Sequence, residues 1–228
     1  MKRAVIAIDG PAGAGKSTVA RRVAEALGYA LIDTGALYRG LALIAEERGV
    51  AWGDGAGLAR LADSLDLRFG PPAAGGRPPL LIDGKDRSGE IRTQSISQGA
   101  SQVSALPEVR AALLQLQRRM GEGGGVVLEG RDIGTVVFPH ADVKVFLTAS
   151  VDARAGRRAK ELEAAGQPAD VGAVAAEIEE RDARDSSRAV APLKPADDAV
   201  VLDTTGLDLD GATSALLEIV AQAGFSAR

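Results

Sequence analysis

Neither cysteine nor asparagine occurs in this 228-residue chain, and histidine occurs once, at His140. The first absence excludes disulfides and thiolate metal sites. With a single histidine as well, a zinc centre lacks ligands, and His140 in Phe138-Pro139-His140 reads as a surface loop residue. The absence of asparagine removes any N-K-x-D guanine-reading motif, which argues against a GTPase switch. Aromatic residues make up 3% of the chain, and Trp52 with four phenylalanines is too few for a base-stacking platform. A net charge of −4 provides no broad basic field to draw nucleic acid. No apolar run approaches the length of a membrane span. Met1-Lys2-Arg3 and the short apolar run after it do not make a signal peptide, so a cytoplasmic protein is expected. Lysine is scarce too: arginine supplies 21 of the 27 basic residues. A genome-wide codon bias is the simplest reading of that total, so only particular arginines can argue for function.

Against these absences stand 28 glycines and one loop that uses them densely, Gly10-Pro11-Ala12-Gly13-Ala14-Gly15-Lys16-Ser17. The apolar run Ala4–Ile8 precedes it, and Thr18-Val19-Ala20-Arg21-Arg22-Val23 follows with helical periodicity. Strand, glycine loop and helix in that order fit the G-x-x-x-x-G-K-[ST] phosphate-binding pattern. Glycines let the backbone approach phosphates closely, and loop amides with the helix N-terminus present positive partial charge to them. Lys16 can reach the β- and γ-phosphates, and the Ser17 hydroxyl can take a Mg²⁺ position. Residues 10–18, through Thr18, are therefore the expected nucleoside triphosphate cradle.

At this length, with 46% hydrophobic residues, the chain can bury one substantial α/β core with inserted lobes. A first helix is expected from about Lys16 to Leu27, with 19, 20, 23, 24 and 27 inward and Gly28 as its stop. A short strand 30–32 and a helix from Leu37 to Arg48 follow. Leu65–Phe69 and Leu80–Asp83 alternate across the Gly70–Pro79 connector and predict a β-hairpin in an inserted lobe. Pro107 suits the first position of a helix to about Met120. Val126–Glu129 and Val143–Leu147 read as buried strands, and Ala199–Asp203 as the last strand. Helices are expected over Val151–Gly166, Val171–Arg184 and Asp210–Ala223. Short apolar strands alternating with helices predict a parallel sheet covered on both faces.

A phosphoryl-transfer site also needs an acceptor cradle and cations for the oxygens in transit, placed beyond the strand C-termini. Arg39, Arg131 and Asp132 fall there, while Asp9 and Glu129 end strands where either could hold Mg²⁺ directly or through water, or serve only a local hydrogen bond. Arg154, Arg157 and Arg158 share one helix face, and Arg181, Asp185 and Arg188 would share another if their helix continues.

Taken in order, Ile8–Lys16, Asp33-Thr34-Gly35-Ala36-Leu37-Tyr38-Arg39, Ser88-Gly89-Glu90-Ile91-Arg92-Thr93, Ala100-Ser101-Gln102-Val103, Val109-Arg110, Gly130–Pro139, Glu180–Asp185, Arg188–Leu193 and Asp203-Thr204-Thr205 resemble bacterial cytidylate kinases. The resemblance spans about residues 4–206. It implies a nucleoside monophosphate kinase of P-loop NTPase fold with a five-stranded parallel sheet, an inserted monophosphate-binding lobe and a helical lid. The core would comprise 1–33, 123–149 and 191–228. The CMP lobe would be 34–122, with its insertion near 63–93, and the lid 150–190. Family roles would put Ser101, Arg110 and Arg188 on the cytosine with Asp132 nearby, and Arg181 and Asp185 on the ribose hydroxyls. Thr34, Arg39 and Arg131 would grip the CMP phosphate. Lys16, Arg131 and the lid arginines 154, 157 and 158 would neutralise charge during transfer from ATP, with Mg²⁺, to CMP or dCMP. Thr34 stands where serine is common in the family, and Glu129 where aspartate is common. The resemblance suggests a monomer. The alternatives are a UMP-preferring or shikimate-type kinase, told apart by Ser101, Arg110 and Arg188, and a nucleotide-binding regulatory module with no acceptor dependence.

Overall fold

A five-residue apolar strand ending in an acid opens the fold: β1 (Val5–Asp9) leads through the glycine loop into α1 (Lys16–Leu27). The computed structural model describes residues 3–73, 76–164 and 166–226. Met1 and Lys2 of the N-terminal reading, Ala74 and Gly75 of the connector, and Ala165, Ala227 and Arg228 lie outside the described residues. After α1 come β2 (Ala30–Asp33), α2 (Thr34–Glu47), α3 (Gly55–Ser64), β3 (Leu67–Phe69), β4 (Leu80–Ile82) and β5 (Lys85–Asp86). Then follow α4 (Gln94–Val103), α5 (Pro107–Gly121), β6 (Val126–Gly130), β7 (Val143–Thr148), α6 (Val151–Ala164), α7 (Val171–Ser186), β8 (Val200–Asp203) and α8 (Leu209–Gln222).

The main sheet has the order β2-β6-β1-β7-β8, and the registers β1–β6, β1–β7 and β7–β8 are all parallel. Its centre is apolar on both faces: Ile6, Ala7, Ile8, Val127, Leu128 and Leu147 are fully buried, as strands covered by helices require. β8, the last strand, lies at an exposed edge of the sheet, with Val200 and Val201 about half open to solvent. The chain forms two compact units, Met1–Ala30 with Gly124–Arg228, and Leu31–Gly123.

In the first unit α1 buries 19, 20, 23, 24 and 27 as its periodicity predicts, and Lys16 with them. Gly28, at φ 62°, ends the helix and donates to the Ala24 and Glu25 carbonyls, the left-handed stop that glycine makes easy. α6 and α7 share a small core of Ala155, Val174 and Ile178; Val171, expected in that stripe, is exposed.

In the second unit β3, β4 and β5 form an antiparallel sheet, so the expected hairpin gains a third, two-residue strand. Leu67, Leu80 and Ile82 belong to one continuous core with Leu37, Leu41, Leu58 and Leu113. A Cβ on Gly40 of α2 would lie 2.8 Å from Leu80 and 3.0 Å from Ile82, so the sheet rests directly on that helix. Helix α2 begins at Thr34 rather than Leu37 because Asp33 caps it, accepting from the Ala36 amide at 3.1 Å. Helices α3 and α4 are capped in the same way by Asp54 and Thr93. Pro107 stands in the first turn of α5.

Candidate functional site

Gly10 passes so close to β7 that no side chain fits. Its φ is +148°, and a Cβ there would lie 1.9 Å from the Leu147 carbonyl oxygen. At the loop's other end Gly15 starts α1 in a left-handed conformation with no side-chain cap, leaving the helix start to serve an anion. Lys16 folds back over the loop and donates to the Pro11 carbonyl at 2.7 Å. Burial pushes its ammonium well below the usual lysine range; the Arg131 and Arg181 guanidiniums push the same way, against Glu129 and Asp185. An ammonium set among cations and starved of water is primed for a polyphosphate.

Beside it the Ser17 hydroxyl donates to Glu129 Oε2 at 2.7 Å. A hydroxyl and a buried carboxylate side by side are hard oxygen donors, suited to Mg²⁺ that keeps waters and takes its remaining ligands from phosphates. Among the described residues no cluster of three or more His, Cys, Asp or Glu side chains could hold a metal. Asp9 does not join this pair. Its two oxygens accept from the Ile133 and Gly134 amides, each at 2.7 Å. Burial raises its carboxyl to about 6 against those two hydrogen bonds, and the Asp132 carboxylate adds to the rise. Asp9 therefore clamps the turn after β6, the hydrogen-bonding one of the two roles open to it.

That turn carries Arg131 and Asp132. Arg131 Nε donates to Asp185 Oδ2 at 2.8 Å, and the Arg188 guanidinium donates to Asp185 Oδ1. Helix α7 stops at Ser186, so Arg188 reaches Asp185 from beyond the helix rather than along one face. Burial pushes the Asp185 carboxyl up, but Arg131, Arg188 and Arg181 together hold it below the usual carboxylate range. The first unit thus gathers Lys16, Arg131, Arg181 and Arg188 around Asp185 and Glu129.

The arginines of α6 share a side of that helix yet end on different partners. Arg154 is buried: Nε donates to the Ala149 carbonyl at 3.0 Å, and a terminal nitrogen reaches the Ala12 carbonyl of the phosphate loop at 3.1 Å. It also pairs with Asp182 of α7 at 2.6 Å. Arg157 donates to the Thr204 hydroxyl at 3.2 Å and the Leu207 carbonyl at 3.4 Å, beyond β8. Arg158 pairs with Glu161 at 3.1 Å on the exposed side.

The second unit holds the remaining candidates. Thr34 is buried in the first turn of α2, and Arg39, one turn on, pairs with Asp33 at 2.6 Å. Ser101 lies buried on α4. Arg110, buried on α5, donates to the Ser104 carbonyl at 3.2 Å and lies over the Tyr38 ring, 5.8 Å from its centroid. Asp33, Tyr38 and Asp182 stand in the motifs quoted above, and the structure adds them to the candidate residues. Asp33 was detectable as a cap before a helix start; Tyr38 and Asp182 act on partners far along the chain and left no local signal.

The sequence model of the cytidylate kinase family matches residues 6–222. The chain is 50% identical over 221 residues to a cytidylate kinase of Syntrophotalea carbinolica, covering 97% of this chain and 93% of that protein. It is 48% identical over 219 residues to a cytidylate kinase of Pasteurella multocida, covering 96% and 92%. Among solved structures, an uncharacterized protein from Eubacterium ventriosum superposes with a TM-score of 0.53 at 13% identity, over 96% of this chain and 99% of that one; that likeness concerns fold alone.

Proposed function

This chain belongs to the cytidylate kinase family, and we propose from that premise that it moves the γ-phosphoryl group of ATP onto CMP and dCMP, giving the diphosphates. The observation that carries the reading is the cation cluster of the first unit, in which Arg131 and Arg181 bear on the buried Lys16 of the phosphate loop. Transfer would be direct and in line. A CMP phosphate oxygen attacks the γ-phosphorus while the bond to the ADP oxygen breaks, and the nucleophile is already anionic, so no general base is needed.

In this reading residues 10–18 bind ATP, and Lys16 follows the charge on its outer phosphates. Thr34, Arg39 and Arg131 serve the acceptor phosphate. Ser101, Arg110 and Arg188, with Asp132, read cytosine, since guanidinium and hydroxyl donors suit its O2 and N3 and a carboxylate suits its amine. Arg181 and Asp185 take the ribose. Ser17 and Glu129 would hold Mg²⁺, directly or through water, and the ion would supply neutralisation of the β- and γ-phosphate charge. Helices α6 and α7, with Arg154, Arg157 and Arg158, form the lid that keeps water from the transferred group.

The test is a coupled ADP-release assay with ATP and Mg²⁺ and, separately, CMP, dCMP, UMP, AMP, GMP and shikimate. Turnover concentrated on CMP and dCMP supports the assignment. Equal turnover with UMP moves the specificity elsewhere, and ADP release without any acceptor refutes kinase function.

A further inference from the structure

We propose that Asp33 is a positioning residue for the acceptor phosphate, holding the Arg39 guanidinium over the first turn of α2. The proposal rests on the function assigned above and adds a residue to it. One carboxylate performs two tasks. Oδ1 accepts the Ala36 amide at 3.1 Å and so starts α2, while Oδ2 takes a terminal nitrogen of Arg39 at 2.6 Å. Both side chains are mostly buried, 15% exposed for Asp33 and 20% for Arg39, so the pair is little weakened by solvent.

Gly35 makes this placement possible. A Cβ there would lie 3.1 Å from Asp33 Oδ1 and 3.3 Å from a terminal nitrogen of Arg39. The arginine therefore lies back across the helix start, where the helix dipole already favours an anion. Among the described residues Arg39 Nε is buried with no hydrogen-bond partner. A buried N–H left unshared is costly, and a phosphate oxygen is the chemistry that would satisfy it. Asp33 stays ionised in this setting. Burial pushes its carboxyl up, but Arg39 and then Arg77 bring it below the usual carboxylate range. Arg77, from the connector between β3 and β4, lines a pocket with Asp33, Phe69, Ser88 and Arg92. The carboxylate thus has cations on two sides and keeps one of them, Arg39, set for the incoming anion. Without Asp33, Arg39 would have to be ordered by the substrate itself, a loss of about three- to tenfold in affinity for one freed long side chain.

The experiment separates capping from positioning. Asp33→Ser keeps an acceptor for the Ala36 amide but removes the partner of Arg39; Asp33→Thr is the second variant if the first is poorly soluble. Steady-state kinetics and calorimetric binding of CMP and of inorganic phosphate are measured for wild type, D33S, R39M and D33S/R39M, with thermal midpoints. The expected result is a KM for CMP raised about three- to tenfold in D33S, a KM for ATP unchanged, and kcat moved less. In the R39M background D33S should add nothing. Equal effects on CMP and ATP, or full additivity in the double variant, overturns the proposal. If wild type fails to phosphorylate CMP, the functional reading falls on its own, and phosphate binding still tests the Asp33–Arg39 coupling by the same cycle. A wild type that binds neither CMP nor phosphate overturns both.

Discussion

Arg154 of α6 donates to the Ala12 carbonyl at 3.1 Å, tying a helix beyond β7 to the phosphate loop. Its pairing with Asp182 at 2.6 Å extends the tie to α7. Removing one partner of such a buried pair costs about 3 kcal/mol or more. Arg154→Met should therefore lower the urea midpoint, and Arg154→Met/Asp182→Asn should recover part of the loss, because the stranded carboxylate is gone. The single variant should also raise the KM for ATP more than that for CMP.

Gly10 admits no replacement. Alanine there would need a Cβ 1.9 Å from a backbone oxygen, at φ +148°. Overpacking of about 1–3 kcal/mol and backbone strain of about 1–3 kcal/mol would add, so Gly10→Ala should be insoluble or unable to bind nucleotide. Gly28→Ala is the control. That residue is also left-handed, but with open space around it, and should lose only about 1–2 kcal/mol, read from chemical unfolding.

Asp9 sets an unusual pH dependence. Its folded value of about 6 lies above the ordinary 3.8. Between these values the folded protein holds the proton that the unfolded chain has released. The stabilisation is complete below 3.8 and is lost as pH rises through 6. From about pH 5 to pH 7 stability should fall by about 1 kcal/mol from this source. Asp33 and Asp185 are depressed and run the other way, but at lower pH. Unfolding curves across that window should show the decline, and Asp9→Asn should flatten it.

Lys16→Met should separate activity from stability. The ammonium is buried and pushed down mainly by desolvation, so removing its charge should leave the melting temperature unchanged or higher. Turnover should fall by about 10²–10³-fold or more, the scale for loss of one preorganised charge-stabilising donor.

Arg188→Met should raise the KM for CMP by at least about tenfold while leaving that for ATP nearly unchanged. Asp185 would keep Arg131 at 2.8 Å, so the carboxylate is not abandoned. A matched rise in both constants would place Arg188 outside the cytosine site.

Local signals in the sequence carried the strand–loop–helix of the phosphate loop, the α1 stop at Gly28 and the Pro107 start of α5, because each is decided within a few residues. α3 and α4 leave only a faint trace in the sequence. Gly55–Ser64 and Gln94–Val103 contain glycine and serine where helix formers are expected, and their capping residues Asp54 and Thr93 were the readable sign. Asp9 shows the harder limit. A strand-end carboxylate is open to a metal or to a hydrogen-bonding role, and only a turn 124 residues away shows that both its oxygens accept from backbone amides. The arginines of α6 share one face by periodicity, yet their long stems carry the guanidiniums to unrelated partners, which spacing alone does not encode.

The sheet of β3, β4 and β5 rests on α2 through Leu80 and Ile82 opposite Gly40. The same helix carries Thr34 and Arg39 at its start. The small sheet is therefore no detachable ornament: cutting it away would bare the apolar side of α2 to water, so trimming the chain here should cost the whole second unit its cooperative unfolding and not merely a surface loop.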